Sequence, residues 1–247
     1  MANSTRKTNT YFKLFKQAVT GDIKDFTTGS INRAIFLLAI PMILEMLLEA
    51  LFAIVDIYFV NKIGNEATST VILTETSLTI LYSVAWGLSI GITALVARRA
   101  GEKNFKDASE IAVQAILLGL FLSLIISVIG FVFPKEILSM MGASAKAVQE
   151  NYLFTQIMLT GNIVIMLLFI NNAIFRGAGN AAIAMRVLLL ANAINIVLDP
   201  LLILGIGPFP KLGVVGAAVA TTTGRSIAVL LQFYYLLNGK SLIKLAA

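Results

Sequence analysis

The chain has 247 residues, of which 58% are apolar and 13% charged, against roughly 25% charged in an average soluble domain. With a mean hydropathy of +0.88 it carries more apolar side chain than a water-facing surface can hide, which excludes a soluble globular domain and a disordered chain. Neither Cys nor His occurs, so thiolate nucleophiles, Cys/His zinc sites and Ser-His-Asp catalysis are excluded, and proton chemistry must run on carboxylates, Lys, Tyr or water. The formal charge of +6 does not point to nucleic acid, because the basic residues are spread between apolar segments and form no patch interleaved with aromatics.

Residues 1–32 form a polar, basic leader. Within it Tyr11-Phe12-Lys13-Leu14-Phe15-Lys16 reads either as a short interfacial helix on the bilayer or as a disordered stretch. The apolar run that follows is too long for a signal peptide and lacks a small-residue cleavage pattern. A hydrocarbon core about 30 Å thick needs about 20 helical residues. Six segments meet that length, near 34–60, 70–97, 108–133, 149–175, 184–206 and 213–238, within a lobe at 33–240 followed by a tail at 241–247. Their breaks carry loop residues: Asn61-Lys62-Ile63-Gly64-Asn65, Arg98 to Asp107, Pro134-Lys135, Arg176-Gly177-Ala178-Gly179-Asn180 and Gly205-Ile206-Gly207-Pro208-Phe209-Pro210. The predicted fold is therefore an all-α membrane protein, a bundle of six transmembrane helices; the short alternating strands of a β-barrel are absent. Lys and Arg concentrate on one side of this topology, in the leader, the second and fourth breaks and the tail, while Lys62, Lys135, Lys146 and Lys211 fall on the other. That bias predicts a multi-pass protein of the plasma (inner) membrane with both termini in the cytoplasm.

Ionisable groups facing lipid cost ~3 kcal/mol on insertion scales, so those inside spans should face a cavity or a partner. In the first span Glu45, Glu49 and Asp56 fall at helical angles of about 0°, 40° and 20°, on one narrow face. Such a face lines water or meets cations, unless one of its acids is an ordinary buried carboxylic acid. In the fifth span Asn192, Asn195 and Asp199 share one side, and Pro200 after Asp199 disturbs the bond to the Ile196 carbonyl, leaving backbone oxygen beside a carboxylate. Oxygens of this kind suit a proton or a hard monovalent cation; membrane-helix Asn also serves simply to bond helix to helix. With both termini inside, a rise of ~1.5 Å per residue puts Asp56, Asp199 and Thr221 roughly 7–12 Å from the outer ends of their spans. At that shared level Thr221 adds a hydroxyl and Ala217, one turn earlier, a carbonyl. Pro41 marks a bending point in the first helix. Gly87 and Gly91, and the run Gly213, Gly216, Ala217, Ala218, Ala220, are expected packing faces. Arg225 lies inside the sixth span, a partner for Glu45 or Glu49 or a contact to something outside the lobe.

Several ordered motifs resemble one family. Ala39-Ile40-Pro41, Val55-Asp56-Ile57-Tyr58-Phe59-Val60, Phe175-Arg176-Gly177-Ala178-Gly179-Asn180, Asn195-Ile196-Val197-Leu198-Asp199-Pro200 and Gly213 to Thr221 are similar to the multidrug and toxic compound extrusion (MATE) transporters. The resemblance implies export of small organic, often cationic compounds in exchange for Na⁺ or H⁺, with no other cofactor and no enzyme activity. It implies a cation site at Asp56, Asn195, Asp199 and Thr221, and adds Asn172 as a further polar residue of the fourth helix. It also implies two six-helix lobes, of which this chain supplies one. The expectation is a piece of a longer transporter, or a half that pairs with a second lobe or a copy of itself. Rival readings are a lipid-linked saccharide flippase of similar architecture, a non-transporting half-subunit, and an aspartyl hydrolase with Asp56 and Asp199 as its dyad.

Overall fold

The computed structural model describes residues 13–21, 29–239 and 241–245. Eight helices follow one another along the described lobe: α1 (Ile31–Asn61), α2 (Asn65–Gly101), α3 (Phe105–Val132), α4 (Pro134–Met140), α5 (Ala145–Thr160), α6 (Asn162–Gly177), α7 (Ala181–Leu204) and α8 (Val214–Leu237). Six segments are long and apolar enough to cross a membrane, α5 and α6 together forming the fourth. Local chemistry sets several helix ends. The Asn104 side chain accepts from the Asp107 N–H to start α3, and Ser144 accepts from the Ala147 N–H to start α5 while donating to Glu66 at 2.7 Å. Gly205, left-handed at φ 72°, ends α7.

Two boundaries differ from the sequence expectation. The third break is not a bare loop, because Pro134 opens the short helix α4, where its missing N–H costs nothing. The fourth span is divided at Gly161. Asn162 makes the division tolerable away from water: its amide donates to the carbonyls of Leu159 and Ser123 and to the Ser127 hydroxyl, and Ser127 donates in turn to the Thr160 carbonyl.

The core lies among α2, α6, α7 and α8, around Leu78, Leu81, Ile170, Ile174, Phe175, Val187, Ile203 and Leu236. Small residues set the helix spacing. A Cβ on Gly216 would stand 2.6 Å from the Leu202 carbonyl oxygen, one on Gly224 2.8 Å from that of Ala191, and one on Gly177 2.8 Å from Val96. The expected packing face on α8 is thus present. The one at Gly87 and Gly91 is not: both glycines are exposed, with nothing within 4 Å of an added Cβ. Spacing alone does not say which way a glycine pair faces, and this pair points away from the bundle.

Helix α1 is peripheral. Of its 31 residues only Leu37, Pro41, Phe52 and Val60 are buried, and it packs chiefly along α7, touching α2 and α8 far less. A cleft therefore opens between α1 and α2. Beyond the spans, residues 13–20 are helical rather than irregular, with Ala18 buried, and Arg186 donates to the carbonyls of Val19 and Thr20; Tyr11 and Phe12, the start of the expected interfacial segment, lie outside the described residues. Past α8 the chain turns back, burying Ile243 and Leu245, and the Lys244 carbonyl accepts from Ser109 at 2.8 Å.

Candidate functional site

The α1–α2 cleft holds a cavity of about 700 Å³, closed behind by α6 and α8. Its α1 wall carries Glu45, Glu49 and Asp56, the three acids that share one helical face, and its α2 wall carries Glu75, Tyr82 and Trp86. Three levels follow from the register of α1.

At the first level Glu45 is bound on two sides. Asn172 donates to it at 2.9 Å and Arg176 approaches to 3.3 Å, while Gln232 of α8 donates to the Asn172 oxygen at 2.6 Å. Three helices are thereby linked, α1 to α6 through the Glu45 carboxylate and α6 to α8 through Asn172. Asn172 belongs here and not with Asp56, eleven residues and about 16 Å further along α1.

The second level is looser. Arg225 of α8 reaches Glu49 at 3.9 Å and stands over the Phe52 ring at 5.9 Å. Tyr82 donates to Glu75 at 3.3 Å and lines the cavity together with Arg225. Of the two acids expected for Arg225, Glu49 is the partner; Glu45 is taken by Arg176.

At the third level Asp199 is fully buried on α7, one turn from Asn195, which joins it to Thr221 of α8. With the Asn195 amide turned so that its nitrogen meets the carboxylate, that nitrogen donates to both Asp199 oxygens at 2.7 and 3.1 Å. The Asn195 oxygen then accepts from the Thr221 hydroxyl at 3.0 Å and the Thr221 N–H at 2.9 Å. Gly216 and Gly224, which flank Thr221 on α8, permit the close approach. In a regular helix the Thr221 N–H pairs with the Ala217 carbonyl, so sharing it with Asn195 loosens that oxygen's hold; Ala217 itself is buried.

Asp56 joins the levels. It lines the cavity, its Oδ1 is buried without a hydrogen-bond partner, and its charge is felt by Asp199 on one side and by Glu75 and Arg225 on the other. Asn192 is buried with its amide nitrogen unpartnered and does not line the cavity. Pro41 lies within α1 next to the cavity residue Met42. Among the described residues no three acids gather as a multivalent metal site requires.

Glu75, Tyr82, Arg176 and Gln232 are site residues that sequence reading missed. For Glu75 the signal was present, because it is an acid inside an apolar span. Arg176 reads as a loop residue at a span end, and only the division of the fourth helix and its packing turn it into the cleft.

The MatE family model matches residues 41–201, and the chain belongs to that family. A Shewanella oneidensis protein described as an FAD transporter is 29% identical over 220 residues, 89% of this chain and 49% of its own length. The multidrug export protein MepA of Staphylococcus haemolyticus is 29% identical over 211 residues, 85% of this chain and 46% of its own. Among solved structures, a MOP superfamily transporter from Pyrococcus furiosus superposes with a TM-score of 0.81 at 30% identity, over 89% of this chain and 48% of that one. An outward-facing multidrug resistance MATE family transporter gives 0.80 at 29% identity, over 93% and 49%. The chain spans about half the length of the relatives it matches, and its six-helix bundle corresponds to one lobe of such a transporter. It is a multi-pass membrane protein.

Proposed function

We propose that this lobe works in the export of small organic cations across the plasma (inner) membrane, driven by inward movement of Na⁺ or H⁺, its termini on the cytoplasmic side and its cleft completed by a second six-helix lobe or a second copy. The supporting observation is the double membership of Asp56, which lines the cavity and also lies within charge range of Asp199. Two carboxylates close together in low dielectric cannot both stay ionised without a cation. A proton or Na⁺ shared by Asp56 and Asp199, with Asn195, Thr221 and the Ala217 carbonyl around it, discharges one side of the cavity wall and weakens its hold on a bound organic cation. Pro41 gives α1, the least packed helix, a point at which to bend in response.

Charge balance favours a cationic cargo. Glu45, Glu49, Asp56 and Glu75 line the cavity against Arg176 and Arg225, and each arginine already has an acid beside it. An anionic cargo, a flavin dinucleotide or a lipid-linked saccharide phosphate, would meet four acids against two arginines there.

The test is ethidium transport in proteoliposomes under an imposed Na⁺ or pH gradient, with the full-length protein as it occurs in the cell. Asp56→Asn and Asp199→Asn should each abolish gradient-driven transport while leaving ethidium binding measurable. Coupled transport that survives both substitutions refutes the reading.

A further inference from the structure

Arg225 stands four residues after Thr221, so the two side chains share a face of α8. One reaches the Asp199 group and the other the cavity acids. Its side chain is half-buried, at 14% exposure, and loosely held: the Glu49 oxygen is 3.9 Å away and the buried Nη1 has no hydrogen-bond partner. Arg176, at 16% exposure, sits 3.3 Å from a Glu45 that Asn172 also fixes. A guanidinium with a buried, unused N–H is under-satisfied, and Arg225 has more than one carboxylate to turn to, since Asp56 and Glu75 line the same cavity.

We propose that Arg225 is a built-in competitor for the cargo site. With the cavity empty it neutralises Glu49 and Glu75; an organic cation entering between those acids and the rings of Phe52 and Trp86 drives it toward Asp56. Two positive charges repel strongly when confined with the same acids in low dielectric. Once at Asp56, the guanidinium replaces the ion shared with Asp199. Return of that ion sends Arg225 back to Glu49 and Glu75, and the cargo leaves. Occupancy of one site is thus reported to the other by a single side chain, and Arg225 acts as a positioning residue for exchange. This rests on the cation-export reading above and adds to it a device that couples the two sites.

Trp86 lines the cavity and is the single tryptophan of these 247 residues, so it serves as the probe once any tryptophan elsewhere in the full-length protein is replaced by phenylalanine. Quenching of its fluorescence by tetraphenylphosphonium gives a Kd for the full chain in detergent at fixed Na⁺ and pH. Arg225→Gln should bind roughly tenfold tighter than the wild type and Arg225→Lys close to it, the scale expected when one nearby like charge is removed. Asp56→Asn removes the place to which Arg225 retreats. It should weaken binding about fivefold in the wild-type background and less than about twofold beside Arg225→Gln, a non-additivity that net charge alone does not produce. Glu49→Gln, a change at a partly exposed side chain, should weaken binding at least about tenfold. Equal effects of Asp56→Asn in both backgrounds, or unchanged affinity in Arg225→Gln or Glu49→Gln, overturn the proposal while a wild type that binds leaves the export reading standing. Absence of quenching in both the wild type and Arg225→Gln defeats both.

Discussion

The α7–α8 seam and the α1–α2 cleft are built from the same ingredients, carboxylates on apolar helices, and treat them in opposite ways. In the seam, glycines bring two backbones into contact and every polar atom of the Asp199, Asn195 and Thr221 group faces a partner. In the cleft, α1 is held chiefly along α7, and Asp56 and Arg225 keep buried polar atoms without partners. A closed polar network is rigid, whereas under-satisfied groups gain by rearranging. The lobe therefore joins a fixed half-site to an adaptable one, and Asp56 is where they meet.

The sharpest way to break this contrast is to push the seam apart. Gly224→Leu places a side chain where even a Cβ would stand 2.8 Å from the Ala191 carbonyl oxygen, and overpacking of that kind should cost about 3 kcal/mol. The expected result is loss of a monodisperse, cooperatively melting protein in detergent. The same substitution at Gly91, where nothing lies within 4 Å of an added Cβ, should leave the melting temperature nearly unchanged. A smaller effect is expected at the one tightly held part of the cleft. Arg176→Ala strands Glu45 beside Asn172, and because both partners keep slight exposure the loss should be about 2 kcal/mol, below the value for a fully buried pair. Adding Glu45→Gln should recover much of it. No recovery in the double variant would mean that Arg176 acts by packing and not by charge.

Much of the seam was legible in the sequence and rather little of the cleft. Asn195, Asp199 and Thr221 announce themselves because spacing puts two on one helix face and depth brings the third level with them, and both quantities follow from helix geometry alone. The common face of Glu45, Glu49 and Asp56 follows for the same reason. What faces that surface does not, since the partner of an acid depends on how helices rotate and where they break. Arg176 reads as the end of a span, yet the division at Gly161 and the packing of α6 turn it onto Glu45. Gly87 and Gly91 show the converse, a correct spacing with the wrong orientation. Asn172 was recognisable as a polar residue of the site, while its level, beside Glu45 and Gln232, required the structure.

The mildest expected effect lies in the seam itself and measures how its rigidity is shared. Thr221→Val keeps the shape of the side chain and removes the hydroxyl that donates to Asn195 at 3.0 Å, leaving the Thr221 N–H bond to the same oxygen in place. Because no buried acceptor is left empty, the loss should be about 1 kcal/mol, a fall in melting temperature of about 2–4 °C for a chain of this size. Thr221→Ser, which retains the hydroxyl, should fall by less. Gradient-driven ethidium transport should suffer more in Thr221→Val than stability does, since the hydroxyl also belongs to the oxygen shell proposed for the coupling ion. A stability loss as large as that of Arg176→Ala would mean that the seam depends on this hydroxyl and not on the glycine contacts, and the division into a fixed and an adaptable half would have to be redrawn.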